Sequence, residues 1–157
     1  MTDFFGFEQD FIASLRCIPM IMRYKLDTCG VKMKLDHWHK FTEAEKTQLI
    51  QMPCETPAEV QHYHETLQGL ITEKTGTPAK VLDIDPNPPW LQTEIPAQVL
   101  EKARSCNVEI APTQWQNLTP LQRFALLKLS RPSHENHNFV PALREFGVLP
   151  GVHTEKN

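Results

Sequence analysis

IPMIMRYKLDTCGVKMKLDHWHKFTEAEKTQLIQM, residues 18–52, lies over IPAQVLEKARSCNVEIAPTQWQNLTPLQRFALLKL, residues 95–129, without a gap and at a constant offset of 77. Eight of the 35 positions are identical, against roughly two expected at average composition. They are Ile18/Ile95, Pro19/Pro96, Lys25/Lys102, Cys29/Cys106, Val31/Val108, Trp38/Trp115, Thr42/Thr119 and Leu49/Leu126. Met22/Val99, Met33/Ile110, Phe41/Leu118, Lys46/Arg123 and Ile50/Leu127 keep character without identity. The matches fall at a helix-start proline, an apolar face, a tryptophan and a helix cap, which are the positions a fold constrains. The expectation is a mainly α protein made of two diverged helical repeats, about residues 18–76 and 95–148. They would pack as one domain over 1–157, joined by a Pro-rich connector at 77–94.

Each unit reads as helix, short extended piece, Trp turn, helix, helix. Phe7, Phe11 and Leu15 recur at i, i+4 and i+8 and predict a first helix over Glu8–Arg16. Pro19 opens the next helix, whose apolar face carries Ile18, Met22, Leu26 and Cys29, and Gly30 suits a left-handed cap. Val31-Lys32-Met33-Lys34-Leu35 alternates apolar and basic and predicts an extended segment. The expected ribbon pairs 31–35 with 108–111. Asp36 is placed to cap the turn that carries Trp38. Thr42-Glu43-Ala44-Glu45 and Thr56-Pro57-Ala58-Glu59 are capping boxes, opening helices to about Gln51 and to Gly76. Pro78, Pro86, Pro88 and Pro89 exclude a continuous helix through the connector. Trp90 there lacks a counterpart and reads as a partner contact or a lid over the core.

Composition narrows function by exclusion. The chain has 157 residues, a formal net charge of −3, 40% apolar and 22% charged residues, which describes a globular protein without a global field drawing it to nucleic acid or anionic membrane. No apolar run reaches the length of a membrane span and no basic-then-apolar leader opens the sequence, so a cytoplasmic protein with reduced thiols is expected. The six glycines build neither G-x-G-x-x-G nor a phosphate loop, and G-x-S-x-G is absent. Cys17, Cys29, Cys54 and Cys106 include no C-x-x-C pair. Cys29 and Cys106 read as small core residues, and Cys17 beside Arg16 is the one position suited to a reactive thiol. His37/His39 flank a core tryptophan and His62/His64 lie two apart on a helix, so neither pair shares a face for a metal. Neither a cofactor, a metal site nor a catalytic residue is expected.

Two basic or polar regions remain. Arg16, Arg23, Lys25, Lys32, Lys34 and Lys40 crowd the first half, as a solvated face or a positive patch. Arg131, Ser133, His134, Glu135, Asn136, His137 and Asn138 follow a strongly apolar helix. Asn138 is placed to cap a last helix over Phe139–Phe146, but the run holds more hydrogen-bonding capacity than a cap requires. Arg131, His134, Glu135, Asn136 and Asn138, with Arg16 and Arg23 as a second patch, are the candidate partner-binding residues.

Three segments resemble the nitrate reductase-associated protein family, small proteins mainly of cyanobacteria. The first is Phe7-Glu8, Phe11 and Leu15-Arg16-Cys17-Ile18-Pro19-Met20, with Arg23, Lys25-Leu26-Asp27 and Gly30. The second is Gln122-Arg123-Phe124-Ala125-Leu126 with Lys128-Leu129-Ser130-Arg131. The third is His134-Glu135-Asn136, Asn138-Phe139, Ala142-Leu143 and Glu145-Phe146. The resemblance covers roughly residues 5–150 and is weakest over 53–94. It implies a non-enzymatic helper of assimilatory nitrate reductase, acting in maturation, stability or regulation, and transfers no catalytic residue. A small-molecule or molybdenum-cofactor carrier is the alternative reading. An enzyme working through Cys17 or His134 is a third, with no nucleophile–base pairing visible to support it.

Overall fold

The computed structural model describes residues 4–8, 15–131 and 136–149, with Asn136 described by its backbone alone. It divides into two compact units, Met1–Asp85 and Pro86–Asn157. The division falls inside the proline-rich connector.

In the first unit a 3-10 turn, Gly6–Glu8, precedes α1 (Met20–Cys29), β1 (Val31–Lys32), α2 (Leu35–His39), α3 (Glu43–Gln51), α4 (Pro57–Thr75) and β2 (Lys80–Val81). Helix α1 stops because Gly30 takes φ 78°, a left-handed conformation, and its N–H returns to the Leu26 carbonyl. Thr42 and Thr56 cap α3 and α4 as reciprocal boxes: Glu45 and Glu59 N–H groups donate to the threonine hydroxyls, and the threonine N–H groups donate to the glutamate carboxylates. Met22, Trp38, Leu49, Tyr63, Leu67 and Ile71 are fully buried and form the heart of this core. The Tyr63 hydroxyl donates to the Leu49 carbonyl at 2.7 Å, so the core keeps no orphaned phenol.

The second unit holds a 3-10 turn, Pro89–Leu91, then α5 (Ala97–Ser105), α6 (Pro112–Gln116), α7 (Pro120–Leu129), a 3-10 turn Asn136–Asn138 and α8 (Phe139–Glu145). Val99, Trp115, Phe124, Leu126, Phe139 and Leu143 are fully buried. Trp90 lies edge-on to Phe124 with ring centroids 5.0 Å apart, so it covers this core, the lid role of its two sequence readings. Among the described residues the chain is therefore mainly helical, with eight α-helices and one two-stranded ribbon. Helices α1, α2 and α3 begin 77 residues before α5, α6 and α7 respectively. That spacing equals the offset between the two matched stretches of sequence.

Several local expectations change. The ribbon pairs β1 with β2, Val31 opposite Val81 and Lys32 opposite Lys80, whereas 108–111 form no strand. The reason is local: Gln68 on α4 brackets Ala79, accepting from its N–H and donating to its carbonyl, and so delivers residues 80–81 to β1. The Trp38 turn is a short helix capped by His37, whose Nδ1 accepts from the Lys34 N–H at 3.0 Å, and Asp36 lies inside it. Cys29 is buried but Cys106 is half exposed. Asn138 occupies the helix-start position without a side-chain cap bond, and α8 ends at Glu145. The 3-10 turn already feeds the chain into α8 in helical geometry, leaving Asn138 no cap to make. The predicted Glu8–Arg16 helix is not met at its ends, since Glu8 closes a 3-10 turn and Leu15, at φ 58°, and Arg16 are not helical, while residues 9–14 lie outside the described residues.

Gly30 has a second constraint. A Cβ there would meet the Leu82 carbonyl oxygen at 2.8 Å, where the Leu82 N–H donates to the Gly30 carbonyl. Gly30→Ala combines left-handed strain with a clash against the ribbon, and should destabilise by more than about 1 kcal/mol, read as a lower denaturant midpoint. The capping carboxyls give a pH signature. Glu45 and Glu59 are held below the ordinary carboxylate range, chiefly by the backbone N–H groups of Thr42 and Thr56. Their contribution is complete above that range and is lost as pH falls through the folded-state values. The corresponding box on α7 uses neutral Gln122. Glu45→Gln with Glu59→Gln should therefore keep the helices at neutral pH and flatten the acid limb of the stability–pH curve.

Candidate functional site

The family-like segment Leu15–Asp27 folds into a corner held by side chains from elsewhere in the first unit. Leu15 adopts φ 58°, left-handed and unusual for leucine, a conformation costing about 1–2 kcal/mol. It persists because its carbonyl accepts two bonds, from the Trp38 indole N–H at 2.8 Å and from Lys46 Nζ at 3.0 Å. Lys46 is buried and its ammonium sits 5.4 Å from the Trp38 ring, so its charge is met by a carbonyl and an aromatic face. The next carbonyl, of Arg16, accepts from His39 Nε2 at 2.8 Å. The Ile18 carbonyl accepts from Arg23 Nε at 3.2 Å. Three carbonyls in four residues are thus fixed by side chains, while Arg16 itself remains exposed.

Glu8 secures the start of α1. It is 2% exposed, and its two carboxylate oxygens accept from the Met20 N–H at 2.9 Å and the Phe5 N–H at 3.0 Å. Met20 opens a helix whose cap residue, Pro19, has no side-chain acceptor to offer, so a carboxylate from twelve residues upstream takes that place. Lys25 is also structural. It is buried, and its Nζ donates to the carbonyls of Ile50 at 2.5 Å and Met52 at 2.6 Å. It therefore caps the C-terminal end of α3 and belongs to neither a solvated face nor a positive patch. These roles for Glu8, Lys25 and Lys46 escaped the sequence reading, because long-range side-chain-to-carbonyl bonds have no local pattern. The one signal was that Lys25 and Lys46 both had basic partners at the 77-residue offset.

Among the predicted partner-binding residues, Arg16 is exposed and Arg23 half-buried on the same corner. In the second unit, Arg131 is exposed just past α7, Asn136 begins a 3-10 turn and Asn138 is buried. His134 and Glu135 lie outside the described residues. Burial of Asn138 removes it from any surface. Three histidines bond the backbone: His37 and His39 as above, and His64 through Nδ1 to the Cys29 carbonyl at 2.8 Å. Among the described residues, no three His, Cys, Asp or Glu side chains lie together as a metal would need. Burial raises the Cys29 thiol to about 12 and the Cys54 thiol to about 11, so both stay protonated and weakly nucleophilic at neutral pH. Cys17 is half exposed within the corner. No helix among the described residues is long and apolar enough to cross a membrane.

The Glu8 arrangement is directly testable. A carboxylate offers two acceptors, whereas an amide offers one acceptor and one donor. Glu8→Gln should therefore leave one of the two N–H groups facing a donor and destabilise the chain by about 1–3 kcal/mol, measured by equilibrium denaturation.

No curated protein and no solved structure matches the chain. The conserved nitrate reductase-associated protein family matches residues 4–146, taking in the Glu8 anchor, the pinned corner and most of the second unit. On that coverage, the chain belongs to the conserved nitrate reductase-associated protein family.

Proposed function

We propose that this protein is a non-enzymatic accessory factor of the cytoplasm that binds assimilatory nitrate reductase and supports its maturation, stability or activity. Family membership over residues 4–146 supports the association. The observation that carries the binding role is the corner at residues 15–18. Strained backbone and three side-chain-bonded carbonyls hold this segment rigid, and the outcome is an arginine displayed to solvent. A rigid loop loses little conformational entropy on docking, which suits it to recognition. The candidate contact residues form two separate patches, Arg131, His134, Glu135 and Asn136 in the second unit and Arg16 and Arg23 in the first. Asn138 is left out because it is buried.

The test is nitrate reductase activity in nitrate-grown cells with and without the protein, paired with co-purification on tagged protein. The role predicts lower activity in its absence and capture of nitrate reductase by the wild type. Full activity without the protein, together with no capture, overturns it. Arg131→Ala with His134→Ala should weaken capture without altering the far-UV circular dichroism, since Arg131 is exposed beyond the end of α7.

A further inference from the structure

The two units provide an internal control that separates residues serving the scaffold from residues serving something else. The scaffold features recur at the same spacing of 77. The Trp38 indole N–H donates to the Leu15 carbonyl, and the Trp115 indole N–H donates to the Gln92 carbonyl. Lys46 sits over Trp38, and Arg123 sits over Trp115. Gly30 at φ 78° has Asn107 at φ 59° in the same place. The short helix at Leu35–His39 has its N-terminal N–H bonded by His37, and the one at Pro112–Gln116 by Gln114. A tryptophan, a cation on its face, a left-handed stop and a polar acceptor are therefore what this arrangement needs.

Two exposed cations on the first corner, Arg16 and Lys40, fall outside that set, and beside them stand Arg23 and His39, whose side chains hold corner carbonyls. Arg16, Arg23, His39 and Lys40 correspond to Thr93, Leu100, Gln116 and Asn117 in the second unit. In the second unit the tryptophan, the cation on its face and the left-handed stop stand with a neutral residue at each of these positions. Their placement on the corner follows from backbone geometry: His39 reaches the Arg16 carbonyl, Lys40 follows His39, and Arg23 reaches the Ile18 carbonyl. Arg16, His39 and Lys40 are exposed. Among the described residues no carboxylate pairs with Arg16 or Lys40. On a chain of net charge −3, these two cations are local exceptions to the overall field, with exposed Asp36 and Glu43 within four residues of Lys40.

We infer that Arg16 and Lys40, on the corner of the first unit that Arg23 and His39 hold in place, form an electrostatic docking surface for an acidic segment of a protein partner. The inference rests on the proposed binding of nitrate reductase and names the half of the molecule and the chemistry that make the contact. Arg16 supplies a planar fork for a carboxylate, and Lys40 a mobile point charge beside it. The acidic balance of the whole chain disfavours nucleic acid or a bare anionic membrane as the occupant, whereas a local acidic peptide avoids the wider repulsion.

The experiment measures binding of the full-length chain to purified nitrate reductase from the same cells, as a function of salt. Three proteins are compared: wild type, Arg16→Ala with Lys40→Ala, and a control, Lys80→Ala with Arg104→Ala, which removes two exposed cations elsewhere. Only the backbone carbonyl of Arg16 takes part in the corner's bond, so the first variant should retain the wild-type circular dichroism and denaturant midpoint. The corner variant should bind about tenfold or more weakly, with most of the loss in association rate, and with a shallower salt dependence than wild type or control. Equal affinity of all three, or equal weakening in corner variant and control, overturns the corner as the docking surface while the accessory role stands. Wild type that fails to bind at low salt overturns both. A parallel arm uses phosphatidylserine vesicles: binding there that depends on Arg16 and Lys40, without binding to nitrate reductase, replaces the acidic segment with a membrane surface.

Discussion

The Leu15 carbonyl is the point on which the first unit turns. Two donors meet it, one from the buried Trp38 and one from the buried Lys46. An indole N–H and an ammonium are both costly to bury unsatisfied, and one backbone oxygen satisfies both at once. The tryptophan can then occupy the core and the lysine can lie on its ring. In exchange, Leu15 is held in a left-handed conformation that leucine does not choose. The three residues after it inherit a fixed direction, and Arg16 faces solvent. Core packing and surface display are coupled through a single oxygen.

The second unit solves the same problem with different residues. Trp115 donates to the Gln92 carbonyl, and Arg123 spreads its guanidinium over the carbonyls of Trp90, Trp115 and Gln116. Lysine concentrates its donors at a point, while arginine distributes them across a plane, so Arg123 ties the 3-10 turn at Pro89–Leu91 to α6 and α7. Trp90, held through its carbonyl, is thereby positioned to lie edge-on to Phe124. The tryptophan and the cation on its face persist, whereas Thr93, Leu100, Gln116 and Asn117 stand where the first unit has Arg16, Arg23, His39 and Lys40. Residue identity at a buried donor is set by a hydrogen-bond requirement that the fold imposes. Residue identity at an exposed neighbour is free to follow a partner.

Membership of the conserved nitrate reductase-associated family fits this division of roles. Within the family-like segment Leu15–Asp27, Lys25 caps the end of α3, and upstream Glu8 holds the first turn of α1. Those motif residues are architectural. Arg16, in the middle of the same segment, is not consumed by any such bond through its side chain among the described residues. A motif read as one functional unit thus separates into residues that build a corner and a residue the corner presents.

The sequence by itself determined the elements that depend on short-range chemistry. The capping threonines, the left-handed Gly30 and Gly76, the buried tryptophans and the helix spacing all follow from neighbours within about one turn, and each stands where its residues placed it. Only the tertiary structure decided what depends on distant partners. Val31 pairs with Val81 rather than with 108–111, because Gln68 delivers Ala79 to it. Lys25 and Lys46 are buried, because carbonyls far along the chain receive them. Asn138 is a core residue rather than a cap, because the 3-10 turn before α8 removes the need for one. A side chain's charge is written in the sequence. Whether that charge is spent on a backbone carbonyl or left facing water is decided by where the fold brings the carbonyl.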